Sequence, residues 1–394
     1  MSAAGRVSLF HILPVFLVVF FNLYSFPLSI TLGVDVLVCL FVLFSTSVIT
    51  YGNKYIRNII ISAFFLGLYT LIVCFVNGSD SIYTIGKPLR FVFTLIVFAF
   101  LSTRFAKYSN KEIIIALVLA LIIHLAFVYT EFFIPILKPV VFSYLDSEKE
   151  DILNFPLRAF GLCSSFDGAG LILCVFQALL WLLSLKEKSA FIFFLYLISF
   201  VGCFLVSRTS MLISTIFMVL IFFSFAKRNK KLLFLFIIPV FIIGGYYVYG
   251  LASDILSTSI IEDSYRTESA EKLTGEMLYL PDSFLGVLFG TGDRTKDSDI
   301  GYINQIFMVG IVGMLWILSL YYQTFVAIRK MRVQFKYESW FLIIILVLLL
   351  VYNYKLSFLY SRSVSDVYFL LVFIMIRKIR RVKVDSPIIS VVNE

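Results

Sequence analysis

Apolar runs of about 20 residues follow one another along almost the whole chain, parted by short stretches where charges and turn residues collect. A run of that length crosses the roughly 30 Å hydrocarbon core of a bilayer as an α-helix. The pattern predicts twelve membrane spans, near 8–25, 28–50, 58–76, 88–103, 112–134, 161–184, 190–206, 210–226, 232–250, 301–327, 339–352 and 364–377. The runs are continuous, whereas a membrane β-barrel needs segments of roughly ten residues that alternate in polarity. No small-residue cleavage site follows the first run, so 8–25 reads as a retained helix and not a removed signal peptide. The expected fold is therefore all-α and polytopic, a single integral membrane domain over 1–394.

Composition agrees. Hydrophobic residues make up 61% of the chain and charged residues 14%, with a mean hydropathy of +0.99; soluble domains carry about 25% charge. Basic residues cluster at Lys54/Arg57, Arg104/Lys107/Lys111, Lys186/Lys188, "KRNKK" (227–231), "RKMRVQFK" (329–336) and "RKIRRVK" (377–383). With both termini in the cytoplasm, all of these fall inside, as the positive-inside rule requires. That topology puts 21 Lys and Arg inside and 12 outside, against 5 acidic residues inside and 18 outside, with Asp35 in a span. The basic clusters read as juxtamembrane anchors, which leaves no case for nucleic acid. Two outer segments are long, 135–160 and 251–300, and extramembrane loops of that size usually carry function.

Five cysteines without CxxC spacing and only two histidines argue against a disulfide framework, a metal site or a Ser-His-Asp centre. No metal or other cofactor is expected. The outer cations stand out, because insertion topology disfavours them there. Several sit at helix ends: Lys87 and Arg90 in "IGKPLRF", Arg158 in "FPLRAFG", Arg208 in "VSRTSML", Lys355 and Arg362 in "NYKLSFLYSRS". Arg266 and Arg294 lie in the long loop. Each either pairs with an outer carboxylate, snorkels toward lipid phosphate, or binds a ligand. Arg208 is set apart because only "VSRT" separates two spans, and a cation at membrane depth costs roughly 2.5 kcal/mol or more without a partner. If their helices cluster, Arg158, Arg208 and Arg362 converge on a shallow outer cavity, where planar guanidinium forks suit a lipid-linked phosphate or pyrophosphate.

The stretch "FGTGDRTKDSDIGYINQIFMVGIVG" (289–313) combines turn glycines, Arg294 and three aspartates directly ahead of a span. Asp299 is either a cap for that helix or a carboxylate that takes the proton of a sugar hydroxyl. Asp293 and Asp297 read as loop solvation. Intramembrane Asp35 calls for a partner, with an outer arginine as one choice. His124 is expected to hydrogen-bond another helix, and Asp167 in "CSSFDGAG" to serve close helix packing and local hydrogen bonding. Tyr265, Tyr279 and Tyr302 are on the side where a sugar ring would stack.

Three stretches carry a resemblance. "SRTSML" (207–212), the 289–313 segment with its "FG.G.......D.GY...I...GI.G" pattern, and "NYKLSFLYSRSVSDVYFLLVF" (353–373) resemble, in order, motifs of the Wzy O-antigen polymerase and O-antigen ligase superfamily. The resemblance implies a GT-C-like, inverting, metal-independent glycosyltransferase of the bacterial inner membrane with a large periplasmic loop. Its substrates would be undecaprenyl-pyrophosphate-linked oligosaccharide repeat units, joined into O-antigen polysaccharide, with a chain-length regulator protein as partner. Arg208 matches the motif arginine and would bind the donor pyrophosphate. The ligases often have a histidine where this chain has Asp299, a departure that favours polymerase over ligase. Arg90, Arg158, Arg266, Arg294, Lys355 and Arg362 follow as phosphate or glycan contacts. A ligase, or a flippase or transporter of the same lipid-linked sugars, are the alternatives. An alternating-access carrier would line deep helices with its cations, whereas here they crowd the outer loops and helix ends.

Overall fold

A computed structural model describes residues 8–45, 53–78, 82–145, 153, 158–187, 189–226, 277–293, 295, 298, 300–355, 357, 359 and 362–385. Among these residues there is no strand. The helices are α1 (Leu9–Leu23), α2 (Leu28–Ser45), α3 (Lys54–Val76), α4 (Ile82–Phe105), α5 (Asn110–Phe133), α6 (Lys138–Ser143), α7 (Phe166–Lys186), α8 (Ala190–Val206), α9 (Arg208–Ala226), α10 (Phe284–Phe289), α11 (Gly301–Met331), α12 (Lys336–Tyr352) and α13 (Val364–Asp385). Five helices are long and apolar enough to cross a membrane: α3, α4 from Gly86, α5, α7 and α11. Shorter apolar helices accompany them in α1, α2, α8 and α9. The span expected at 232–250 lies outside the described residues.

Local sequence sets the helix starts. Ser109 accepts the Glu112 backbone N–H while the Glu112 carboxylate accepts that of Ser109, a reciprocal cap for α5. Ser165 caps α7 by accepting the Gly168 N–H at 3.0 Å, and Asn53 caps α3 through the Tyr55 N–H at 2.9 Å. Helix α7 is apolar on every side, and Gly168 through Leu180 are all buried. A helix with that pattern belongs in the middle of a bundle, and α8, α9 and α12 pack around it.

The ends of the bundle differ in chemistry. At one end, Glu112 accepts from the Ser8 N–H and lies 3.0 Å from His11 Nδ1. Nearby Glu338 accepts from Lys186 and Asn110, both at 3.0 Å, and Lys378 donates to Asn110. These residues come from the start of α1, the starts of α5 and α12, and the ends of α7 and α13, so Lys186 and Lys378 of the basic clusters share one face with them. The opposite face collects the α1–α2 turn, the segment 158–165, and the N-terminal ends of α9 and α13.

Helix α11 is broken. Gly310 adopts φ 67°, ψ 179°, a region open essentially to glycine alone. The short helix α10 and the FGTG turn press into this break. Thr291 donates its backbone N–H to the Phe307 carbonyl at 2.6 Å, and the Tyr69 hydroxyl lies 3.0 Å from the carbonyl oxygens of both Phe289 and Val309. Irregular backbone at membrane depth is tolerated where the protein satisfies its polar groups, and here the turn does so. A Cβ on Gly310 would lie 2.2 Å from the Leu288 carbonyl oxygen, and one on Gly290 would lie 2.7 Å from Gly310 N. Gly290 and Gly310 of the 289–313 stretch are thus explained by backbone-to-backbone contact.

Gly310→Ala is expected to cost about 1–3 kcal/mol from backbone strain alone, with the clash in addition. Gly33→Ala, inside α2 with no atom within 4 Å of the new Cβ, is expected to be neutral or to stabilise by up to about 1 kcal/mol. Thermal unfolding of the two variants in detergent measures the contrast, and equal losses would contradict it.

Candidate anion-binding site

The segment "RAFGLC" (158–163) is tied down at nearly every backbone group. Lys138 donates its ammonium to the Arg158 carbonyl. The Ala159 N–H donates to the Leu205 carbonyl at 2.8 Å. Glu131, fully buried at the end of α5, accepts the N–H groups of Phe160 and Gly161, both at 2.9 Å. The Leu162 N–H donates to His124 Nδ1 at 3.3 Å, and the Leu162 carbonyl accepts the Ser25 N–H at 3.0 Å. Gly161 has φ 56°, and a Cβ there would lie 2.7 Å from the His124 ring. His124 therefore accepts from this turn and also interacts with the Ala169 backbone of α7. Lys138 is 3% exposed; burial pulls its pKa down and the Glu131 charge opposes that shift.

This fixed segment delivers Arg158 to the start of α7. Its guanidinium lies over the Phe166 ring, 5.6 Å from the centroid, a favourable place for a cation. Asp167 follows directly, and Lys355 Nζ stands 3.7 Å from its Oδ1. The start of α9 lies alongside: a Cβ on Gly170 would meet Ser207 Oγ at 2.8 Å and Ser210 Cβ at 2.9 Å. Only a residue without a side chain lets these two helices approach so closely. Arg208 is the first residue of α9 and is exposed, and among the described residues no carboxylate pairs with it. Its charge reaches Arg158, whose pKa is lowered by burial first and by Arg208 second, with Asp167 acting in the opposite direction.

Among the described residues, three cations and one carboxylate thus surround the N-terminal ends of two helices, whose dipoles add further positive potential. The excess of positive charge makes this a place for an anion. Two side chains with five donors each suit an oxyanion with several acceptor oxygens.

Not every outer cation joins this group. Arg90 donates to Asp366 at 2.5 Å, with 10% and 1% of the two side chains exposed. Arg362 donates to the carbonyl oxygens of Tyr24 and Phe26, and the neighbouring Ser363 hydroxyl to that of Leu23 at 2.7 Å. Both arginines make contacts within the protein: Arg90 joins α4 to α13, and Arg362 holds the α1–α2 turn. Asp35 takes a hydrogen bond from Asn22 at 2.8 Å, so its nearest partner is an amide. Lys87 and Arg90 lie inside α4, which begins at Ile82, ahead of the span expected from residue 88. Arg266, Arg294, Asp299 and Tyr265 lie outside the described residues. Tyr302 donates to the Leu350 carbonyl at 2.8 Å, and Tyr279 is hydrogen-bonded to Thr295.

Sequence reasoning missed Glu131, Lys138 and Asp366. Glu131 and Asp366 carry the signal that singled out Asp35, an ionisable residue within an apolar run, but each sits near a span end and reads as loop charge. No protein-family model, no curated protein and no solved structure matches the chain.

Glu131→Ala would leave two buried N–H groups without an acceptor and Lys138 without its carboxylate. At about 1–3 kcal/mol for each stranded group, the variant is expected to lose several kcal/mol relative to Leu119→Ala on the exposed face of α5. Comparison of their melting temperatures in detergent measures this; a Glu131 variant as stable as the Leu119 variant would refute the clamp.

Proposed function

We propose that the chain is an O-antigen polymerase: a twelve-span, GT-C-type membrane glycosyltransferase of the bacterial inner membrane, with both termini in the cytoplasm. The observation that carries the reading is the gathering of Arg158, Arg208 and Lys355 around the N-terminal ends of α7 and α9. An enzyme that joins undecaprenyl-pyrophosphate-linked repeat units must hold a pyrophosphate at the depth of the lipid headgroups. The cation group lies at the bundle face opposite the basic clusters, which is the periplasmic face under the positive-inside rule.

Pyrophosphate is already a good leaving group, so the chemistry needs little beyond orientation and charge stabilisation. Arg208, exposed and without a carboxylate partner, meets the donor pyrophosphate. Arg158, held rigid by its pinned backbone, and Lys355 add to the positive field that strengthens as the glycosidic bond breaks. Such fixed donors act on developing charge without reorganising. Arg90 and Arg362 support the turns around the site. Arg266, Arg294 and Asp299 belong to the loop on the acceptor side, where they contact the glycan.

The test is the lipopolysaccharide ladder of a strain lacking this protein, complemented with wild type or Arg208→Ala at matched membrane levels. Removing one charge-stabilising donor is expected to lower transfer by about 10²–10³-fold, which collapses the ladder and leaves a single capped repeat. Loss of that single repeat as well would point to a flippase or ligase, and an intact ladder would remove Arg208 from the mechanism.

A further inference from the structure

Asp167 was expected to serve helix packing, yet it stands among the cations of the anion site. Its carboxylate is bracketed by Lys355, 3.7 Å from Oδ1, and by Arg158, whose guanidinium covers the adjoining Phe166 ring. Oδ1 is shielded from solvent and accepts no hydrogen bond among the described residues. The side chain as a whole is 22% exposed, so part of it remains open to solvent. The groups that face it are Lys355 and Tyr352 from α12 and the turn after it, Arg158 from the segment before α7, and Arg208 from α9 beyond Arg158.

A purely structural aspartate would be expected to spend its oxygens on backbone N–H groups, as Ser165 does for Gly168 on the same turn. Asp167 does not. A 3.7 Å separation from an ammonium is a loose ion pair that keeps the charge without occupying the oxygens. The site therefore holds an acceptor group beside its donors, which is the pair of functions that glycosyl transfer from a phosphate ester requires.

We propose that Asp167 is the carboxylate that receives the acceptor hydroxyl's proton, an assignment that rests on the glycosyltransferase reading above. The acceptor hydroxyl oxygen forms a bond to the donor's anomeric carbon. The bond from that carbon to the pyrophosphate oxygen breaks, and its electron pair leaves with undecaprenyl pyrophosphate. The hydroxyl proton passes to Asp167 and from there to water. Arg158 and Arg208 take the leaving group, while Lys355 steadies the carboxylate before the proton arrives. Asp299 then contributes to acceptor binding and not to proton transfer.

The experiment compares wild type, Arg208→Ala, Asp167→Asn, Asp299→Asn and Asp167→Asn/Lys355→Met in two readouts. One is the ladder in the complemented deletion strain at matched membrane levels; the other is binding of undecaprenyl pyrophosphate to the purified full-length chain in detergent. Asp167→Asn is expected to lower transfer by about 10²-fold or more while binding undecaprenyl pyrophosphate at least as tightly as wild type, since a negative charge has left a cationic site. Asp299→Asn is expected to lose less, and the double variant to stay inactive. Rescue by the double variant would reduce Asp167 to a counter-ion of Lys355 and overturn the proposal. So would a normal ladder from Asp167→Asn, or a greater loss in Asp299→Asn. Should the Asn variant fail to reach the membrane, Asp167→Ser carries the same comparison. A wild-type chain that builds no polymer, or an active Arg208→Ala, would instead sink the glycosyltransferase reading itself.

Discussion

The two backbone hydrogen bonds that Glu131 accepts from Phe160 and Gly161 fix the position of the segment on which the candidate site depends. The segment has no regular secondary structure, so its polar groups have no partners of their own making. Buried beside apolar helices, each unpaired group would cost about 1–3 kcal/mol. Glu131, His124, Lys138, Ser25 and the Leu205 carbonyl together remove that cost. The result is an irregular turn with the rigidity of a helix, and the cation it carries inherits that rigidity.

The outer cations divide by what already holds them. Arg90 and Arg362 are engaged by Asp366 and by the carbonyl oxygens of the α1–α2 turn. That turn in turn holds the site, because Ser25 hydrogen-bonds both the Leu162 carbonyl and the backbone N–H of Ser164. Charge is used twice on this face. Arg90 and Arg362 brace neighbouring elements, and Arg158, Arg208 and Lys355 gather at the N-terminal ends of α7 and α9. A cation already saturated by carbonyl oxygens has little left for a phosphate, so depth and charge alone do not separate the two kinds.

That separation is what the sequence did not disclose. The helices were legible because hydropathy in a run of about 20 residues reports membrane depth directly: α1, α3, α5, α7, α8 and α11 lie where the apolar runs predict them. Boundaries slipped where helix and apolar run differ, as at α4, which begins at Ile82 and carries Lys87, Pro88 and Arg90 inside it. Arg158, Arg208 and Lys355 were recognisable as cations where topology disfavours them. Their convergence depends on Gly170, whose missing side chain lets α9 approach α7, and a glycine in "DGAG" has no signature that says so. The break at Gly310 was equally silent, since "MVGIVG" continues the helical hydropathy without interruption.

The break also explains how a distant motif reaches the site. The FGTG turn is pinned into α11 at Gly310, and from there the chain runs back to the start of α11 through the segment that holds Asp299. At that start, Gln305 donates to Asn353 at 3.2 Å, and Asn353 in turn accepts the Leu359 N–H at 3.1 Å. Asn353 and Leu359 bracket Lys355. The polar loop and the cation site therefore share one buried amide pair, 1% and 0% exposed at Gln305 and Asn353. A side-chain pair this enclosed has a single satisfied arrangement, so the loop's entry into α11 and the position of Lys355 are set together. Any movement of the start of α11 would have to break the amide pair or carry Lys355 with it. The entry of the polar loop into α11 and the position of Lys355 are mechanically one unit.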